Sequence, residues 1–450
     1  MFIETIKTPG LAHLSYVIGS DGQAAVIDPR RDVDEYVQIC KANGCKLIAI
    51  IETHRNEDLI SGSPILSEMT GANVYHGPNP ESPIEYAKTV KEGEVFKIGN
   101  AQLEIIETPG HTKDSISILL TDLEFDNGPA AVFTGDALFV GDVGRTDFYP
   151  NEKERIAGML YDSIEKIKSR APAAILYPAH GAGSVCGDGM ADREFSTIEH
   201  ESRNNPMLVI NDRQEFIDKK VKEHHYYAPY FNDMERLNMT GAAAYDSPRI
   251  VCPTSFSDLN LDSTILIDVR NIECFLGAHH PRSIALPVGL ITAYAGWLLS
   301  SKDSITIVAQ NEQMASEAAL HFSRIGYDNT QCFVEANFPG YAATGGEVAS
   351  TDIVDPKQVK ELLEDGWQLL DVRKITEYES CRISNSEHIF LGELPEKMNS
   401  LDKSARYITM CASGMRASVA ASYLSCNGFE NVKVFMGSLG AWKQAGFETE

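Results

Sequence analysis

An internal repeat constrains this chain more than any other feature. "STILIDVRNIECF" pairs with "WQLLDVRKITEY", and "ITIVAQNEQMASEAALHFSRIGY" pairs with "RYITMCASGMRASVAASYLSCNGF". The offset is roughly one hundred residues, the size of a small domain. Each copy alternates apolar strands with helical stretches, the pattern of an α/β domain with a mostly parallel sheet. The repeat predicts domains over residues 250–347 and 352–450, joined through "GGEVASTDIVDP". A chain of 450 residues is too long for one core, so residues 1–245 are left for a separate N-terminal domain with a helical tail.

That N-terminal part reads as β runs broken by turns, with polar residues gathered at the strand ends. "KLIAIIETHRNED" carries His54 and Asp58, "AQLEIIETPGHT" carries His111, "AAVFTGDALF" carries Asp136 and "AAILYPAHG" carries His180. Strand tips are where sheet-based enzymes keep their chemistry. "EKERIAGMLYDSIEKIK" and "NDRQEFIDKKVKEHH" have helical spacing.

The formal net charge of −25 argues against nucleic acid and anionic membranes as partners, and any anionic substrate needs a local positive pocket. No run of about 18 apolar residues offers a membrane span. "MFIETIKTPGLAHLSYVIG" has no basic stretch followed by a long apolar one, so no secretory signal is expected. The nine cysteines are scattered, odd in number and without a C-x-x-C, which fits a reducing cytoplasm.

The four N-terminal segments resemble, in order and context, the metal motifs of the metallo-β-lactamase superfamily. The resemblance implies an αββα sandwich. Two of the loop's expected histidines are missing: Asn56 and Leu59 stand in their places. His54, His111 and Asp136 survive as two imidazoles and one carboxylate with open positions, a ligand set suited to non-haem Fe(II). A hydrolytic dizinc site would want its ligands complete around a bridging hydroxide. The expectation is therefore one Fe(II) per chain, with Asp58 and His180 orienting the ligands.

Within the superfamily the match is to the persulfide dioxygenases, through the metal residues and "GDVGRTDF". By that resemblance Arg145 lies near the thiol part of the substrate. "PAHGAGSVCG" resembles bacterial members fused to rhodanese domains, and its Cys186 either faces the pocket or is a structural thiol.

In the last copy of the repeat, "YITMCASGMRASVAASYL" reads as strand, loop and helix, the helix starting at about Ala417. Cys411 ends the strand as an exposed thiol, and Ala412, Ser413, Gly414 and Met415 curl around it. Backbone N–H groups, the helix N-terminus and Arg416 favour a nucleophilic thiolate there. The segment resembles the rhodanese family, supported by "LLDVR" and "GSLGAW". The resemblance implies a Cys411 persulfide assisted by Arg416. The first copy has Ala309 and Met314 at the equivalent positions, so it reads as an inactive rhodanese.

The whole order resembles persulfide dioxygenase–rhodanese fusions. The implied chemistry is oxidation of a low-molecular-weight thiol persulfide by O₂ to sulfite, coupled to sulfane-sulfur transfer that forms thiosulfate. A homo-oligomer is the expected assembly. Two other readings stay open: a glyoxalase II-like thioester hydrolase fused to a sulfurtransferase, and a non-catalytic sulfur carrier or persulfide sensor that uses Cys411 alone.

Overall fold

The computed structural model describes residues 1–184, 186–187, 189–243, 251–330 and 332–450. The chain forms two compact units. The first takes Met1–Tyr227, the segment beginning at Phe231, and Arg324–Gly326. The second takes Ala228–Tyr230, the chain that follows residues 244–250 as far as Ser323, and Tyr327–Glu450. The expected boundary at 245–250 lies outside the described residues.

In the first unit, strand alternation builds the layers. Tyr16 and Ile18 enter one apolar cluster and Val17 another; Ala25 and Ile27 part from Ala24 and Val26 in the same way. Period-two side chains thus give the first sheet two apolar faces. This sheet runs in chain order from Phe2–Thr8 to Lys88–Thr89. A second six-stranded sheet runs from Val95–Ile98 to Ser196–Thr197, again in chain order. Residues of both sheets, among them Ile51, Leu103, Ile118 and Phe133, share the central cluster.

The outer faces are covered by helices. Tyr36 and Cys40 of Asp34–Ala42 and Leu66 of Ser63–Thr70 pack on the first sheet. Leu160, Ile164 and Ile167 of Lys153–Arg170 pack on the second at helical spacing. Glu154 in that helix's first turn and Lys168 and Arg170 in its last suit the helix dipole. The result is the expected helix–sheet–sheet–helix sandwich. No described helix is long and apolar enough to cross a membrane.

The second unit holds two five-stranded parallel sheets of identical strand order. In the first copy the order is Cys252–Thr254, Cys332–Glu335, Ile305–Ala309, Ile265–Asp268, Ser283–Ala285. In the second it is Ile353–Val354, Val432–Phe435, Tyr407–Met410, Gln368–Asp371, Glu387–His388. The sequence repeat is therefore a repeat of topology. It extends to side chains: Arg270 pairs with Asp268 at 2.6 Å and Arg373 with Asp371 at 2.5 Å, each pair buried after an equivalent strand. The copies touch where Trp297 meets Phe390 edge-on at 5.6 Å and where the Ala285 N–H donates to Ser422 Oγ at 2.9 Å.

Candidate functional site

The metal-type residues of the first unit sit on loops that follow strands. His54 follows Lys46–Glu52, His111 follows Ala101–Glu107, Asp136 follows Ala131–Gly135, and His180 follows Ile175–Pro178. Close backbone approach brings them together. Gly135 has φ +54°, and a Cβ there would stand 2.6 Å from Thr53 Oγ1. A Cβ on Gly144 would stand 2.0 Å from the Asp136 carbonyl oxygen and 3.1 Å from the His111 ring. Glycine is needed at both points so that the loops can meet. Asn238, on the helix Phe231–Thr240, clamps the His54 loop: its Nδ2 donates to the carbonyls of Asn56 (2.7 Å) and Leu59 (2.8 Å), and its Oδ1 accepts from Ser61 N–H (2.9 Å).

His54, His111 and Asp136 are all buried and offer donor atoms within 4.8 Å of one another. Asp136 Oδ2 is 3.7 Å from His54 Nε2 and 3.4 Å from His111 Nε2. The other ring nitrogens fix the tautomers. His111 Nδ1 lies 3.0 Å from the carbonyl oxygen of Arg145, which can only accept. Thr53 Oγ1 donates to Asp28 Oδ2 at 2.7 Å, so at 2.9 Å it accepts from His54 Nδ1. When each ring is neutral the lone pair is then on Nε2, and neither Nε2 has a hydrogen-bond partner among the described residues. Buried polar atoms left so are costly, and a cation held between them removes that cost. Two imidazoles and a carboxylate fit a divalent transition metal.

The charges agree. Burial would raise the Asp136 carboxyl, but His180 and His54 outweigh it and hold it well below the ordinary carboxylate range. Burial pushes His54 down to about 4, which keeps its ring neutral. His180 Nδ1 sits 2.8 and 3.0 Å from the two Asp136 oxygens, and its Nε2 is 3.3 Å from Asp58 Oδ2.

Cys186 is buried beside these groups. Asp58, His180 and Cys186 form a second cluster with donor atoms within 4.8 Å of one another. Burial, with Asp136 and Asp58 nearby, pushes the Cys186 thiol well up. Arg145 is 1% exposed and holds Asp147 through Nε and Nη2, each at 2.7 Å. Its Nη1 donates to the Tyr226 carbonyl and its guanidinium stacks over Phe148. Arg145 is thus a paired cation whose backbone holds His111. Phe148 stands edge-on to His111 at 5.3 Å and, with Tyr227 and Phe231, forms an aromatic wall.

In the second unit Cys411 follows the strand Tyr407–Met410. It is 1% exposed, where the sequence reading expected an exposed thiol. The loop curls over it, and Gly414 N–H donates to its Sγ at 3.1 Å. Gly414 has φ +112°, so the loop turns there and the helix begins at Met415, two residues before the expected start. Ala412, Ser413 and Met415 are exposed. "GSLGAW" pins the loop from behind: Ser438 Oγ accepts from Cys411 N–H at 3.0 Å, and the N–H groups of Gly437, Leu439 and Gly440 donate to the carbonyls of Ser413, Cys411 and Ala412. Arg416 is part-buried and grips both Glu377 oxygens at 2.6 and 2.8 Å. Tyr294, from the first copy, interacts with Arg416, Glu377 and Cys411.

Four features were missed from sequence: Glu57 in the metal loop, the Asp28–Thr53 pair behind His54, Glu377, and Tyr294. Asp28 directly follows its strand in "AAVIDP" and Glu377 closes "DVRKITE", so strand tips and the repeat carried a signal for both. Tyr294 had none, since the contact depends on how the copies pack.

The comparisons agree with this architecture. A model of the metallo-beta-lactamase superfamily matches residues 8–180, and one of the rhodanese-like domain matches residues 355–445. The mitochondrial persulfide dioxygenase ETHE1 of Mus musculus is 30% identical over 213 residues, 45% of this chain and 74% of that protein. A hydroxyacylglutathione hydrolase of Prochlorococcus marinus (strain MIT 9211) is 28% identical over 172 residues, 37% of this chain and 64% of that protein. Among solved structures, a metallo-beta-lactamase from Staphylococcus aureus subsp. aureus COL aligns with a TM-score of 0.68 at 29% identity, covering 74% of this chain and 99% of that one. The chain belongs to the metallo-β-lactamase superfamily, as a relative of the persulfide dioxygenases that also carries a rhodanese-like domain.

Proposed function

We propose that this protein oxidises the terminal sulfur of a low-molecular-weight thiol persulfide at a single Fe(II) site and moves sulfane sulfur through Cys411. The observation that carries the reading is the convergence of two tautomer-fixed Nε2 atoms, His54 and His111, on Asp136. When bound, the ferrous ion supplies the redox chemistry that joins O₂ to sulfur.

The chain's own residues do the rest. Arg145 and the Asp28–Thr53 pair orient the two imidazoles. His180 orients Asp136. Phe148, Tyr227 and Phe231 limit water around the reacting sulfur. The overall reaction balances as R–S–SH + O₂ + H₂O → R–SH + SO₃²⁻ + 2 H⁺: the outer sulfur loses four electrons and O₂ gains them. In the second unit, the Cys411 persulfide gives its outer sulfur to sulfite: Cys–S–S⁻ + SO₃²⁻ → Cys–S⁻ + S₂O₃²⁻. The S–S bond to Cys411 breaks, the new S–S bond forms, and the electron pair returns to the thiolate. Gly414 N–H and Arg416 favour that anion. The first copy, with Ala309 in place of the thiol, serves as a wall and contributes Tyr294.

A second reading has one specific observation in its favour. Asp58, His180 and Cys186 form another potential metal cluster, and hydroxyacylglutathione hydrolases are among the relatives. A two-metal thioester hydrolase would use both clusters. Oxygen uptake on adding a persulfide supports the dioxygenase. Thioester hydrolysis without oxygen uptake supports the hydrolase.

A further inference from the structure

The loop that lost two of its expected histidines has a buried acid between them. Glu57 is 5% exposed, and its Oε2 lies 3.4 Å from His111 Nε2. That oxygen has no hydrogen-bond partner among the described residues. Arg145 and Arg55 act on Glu57 through space, but neither hydrogen-bonds this oxygen: Arg145 holds Asp147 and Arg55 holds Glu235 at 3.0 Å. An unneutralised carboxylate at this depth is costly.

His111 cannot resolve this as a neutral ring. Its Nδ1 gives its proton to the Arg145 carbonyl, so its Nε2 presents a lone pair towards Glu57 Oε2. Two electron-rich atoms 3.4 Å apart need a proton or a cation between them. Two donors bound to one metal ion at about 2.1 Å each are spaced by about 3 to 3.5 Å. Glu57 and His111 meet that spacing, as do Asp136 and His111 at 3.4 Å. Glu57 flanks the His54, His111 and Asp136 set on its His111 side; it is not one of the three whose donor atoms lie within 4.8 Å of one another, so binding a shared ion draws its carboxylate inward. It stands next to Asn56, which occupies an expected ligand position.

We propose that Glu57 is a fourth protein ligand of the metal, so that this chain holds its ion with two histidines and two carboxylates. The inference rests on the metal-centre reading above and adds a residue to it. Two anionic oxygens balance the charge of a divalent ion and bias the site towards oxygen-preferring metals such as Fe(II) and Mn(II). They also remove the net positive charge that two histidines and one carboxylate would leave. Asn56, a neutral amide, is then tolerated because its neighbour supplies the missing donor.

The test uses the full chain, stripped of metal and titrated anaerobically with Fe(II) and, as a spectroscopic probe, Co(II). Wild type, Glu57→Gln and Glu57→Asp are compared by chelator competition and by the Co(II) visible spectrum, whose intensity follows coordination number. Glu57→Gln is expected to weaken Fe(II) binding by tenfold or more and to change the Co(II) band intensity. Glu57→Asp keeps the carboxylate on a shorter arm; it should fall between, and it serves alone if the Gln variant does not fold. An unchanged Co(II) spectrum overturns the assignment even if affinity drops, because Glu57 then acts only by orienting His111. Wild-type protein that binds no metal refutes the metal-centre reading itself, a different failure from Glu57→Gln matching a metal-loaded wild type.

Discussion

The Nδ1 of His111 lies 3.0 Å from the carbonyl oxygen of Arg145, and that contact decides what His111 can do. A carbonyl only accepts, so the ring proton is on Nδ1 and the lone pair on Nε2 faces Asp136. Replacing His111 with Ala should remove the bound metal and all oxygen uptake while leaving Cys411-dependent sulfur transfer in place. Elemental analysis beside separate assays of the two activities checks this.

Asp28 is predicted to control the proton on His54. Burial raises its carboxyl to about 7 despite the hydrogen bonds from Thr53. Above that pH the carboxylate only accepts, Thr53 Oγ1 donates to it, and His54 keeps its lone pair on Nε2. Below it the protonated acid can donate to Thr53, whose hydroxyl then turns its hydrogen to His54 Nδ1. Metal affinity should therefore fall as pH drops through about 7. Asp28→Asn places an amide donor opposite Thr53 at every pH, and should weaken binding by about 10- to 100-fold without that pH dependence. Chelator competition between pH 6 and 8 reads both effects.

Asn238→Ala should loosen the metal loop without touching any ligand. It removes three hydrogen bonds to the backbone of Asn56, Leu59 and Ser61. A destabilisation of about 1–3 kcal/mol is expected, together with weaker metal binding. Thermal unfolding and metal titration measure the two effects.

In the rhodanese-like domain, Cys411→Ser should stop thiosulfate turnover and let sulfite accumulate. Arg416→Met has two expected effects. It slows transfer, and it strands the Glu377 carboxylate, which now holds the guanidinium with two hydrogen bonds. The variant should therefore lose stability as well as rate, and Glu377→Gln in the same chain should restore part of the stability but not the rate. Tyr294→Phe should slow transfer through Cys411 although the change lies in the other copy. A cysteine at Ala309 should restore little, since Met314 leaves that loop without a cation. Mass spectrometry after persulfide treatment should find the added sulfur on Cys411.

Much of this architecture was legible in the sequence because it is carried by periodic patterns. The "LLDVR" and "LIDVR" segments marked equivalent strands, and the two sheets have the same strand order. The polar tips at His54, His111, Asp136 and His180 announced a site because each follows an apolar strand. Facts that depend on packing were not legible. Cys411 looks exposed in a Gly-containing loop, yet "GSLGAW" folds against that loop and buries it. Arg145 was expected near the thiol part of the substrate, yet Asp147, two residues on, takes its Nε and Nη2 and the Tyr226 carbonyl takes its Nη1. Glu57 sat between two positions read as lost ligands, and only the 3.4 Å approach to His111 gives it a role.

A single iron and oxygen-dependent oxidation of a persulfide together define the proposed enzyme. It is tested most directly by loading the purified chain with Fe(II), counting the metal, and following O₂ uptake and sulfite release from a thiol persulfide in the Cys411→Ser variant. One iron per chain and one O₂ consumed per sulfite formed are expected, with no uptake on the thiol alone. Two zinc ions per chain with thioester hydrolysis and no oxygen uptake would contradict it.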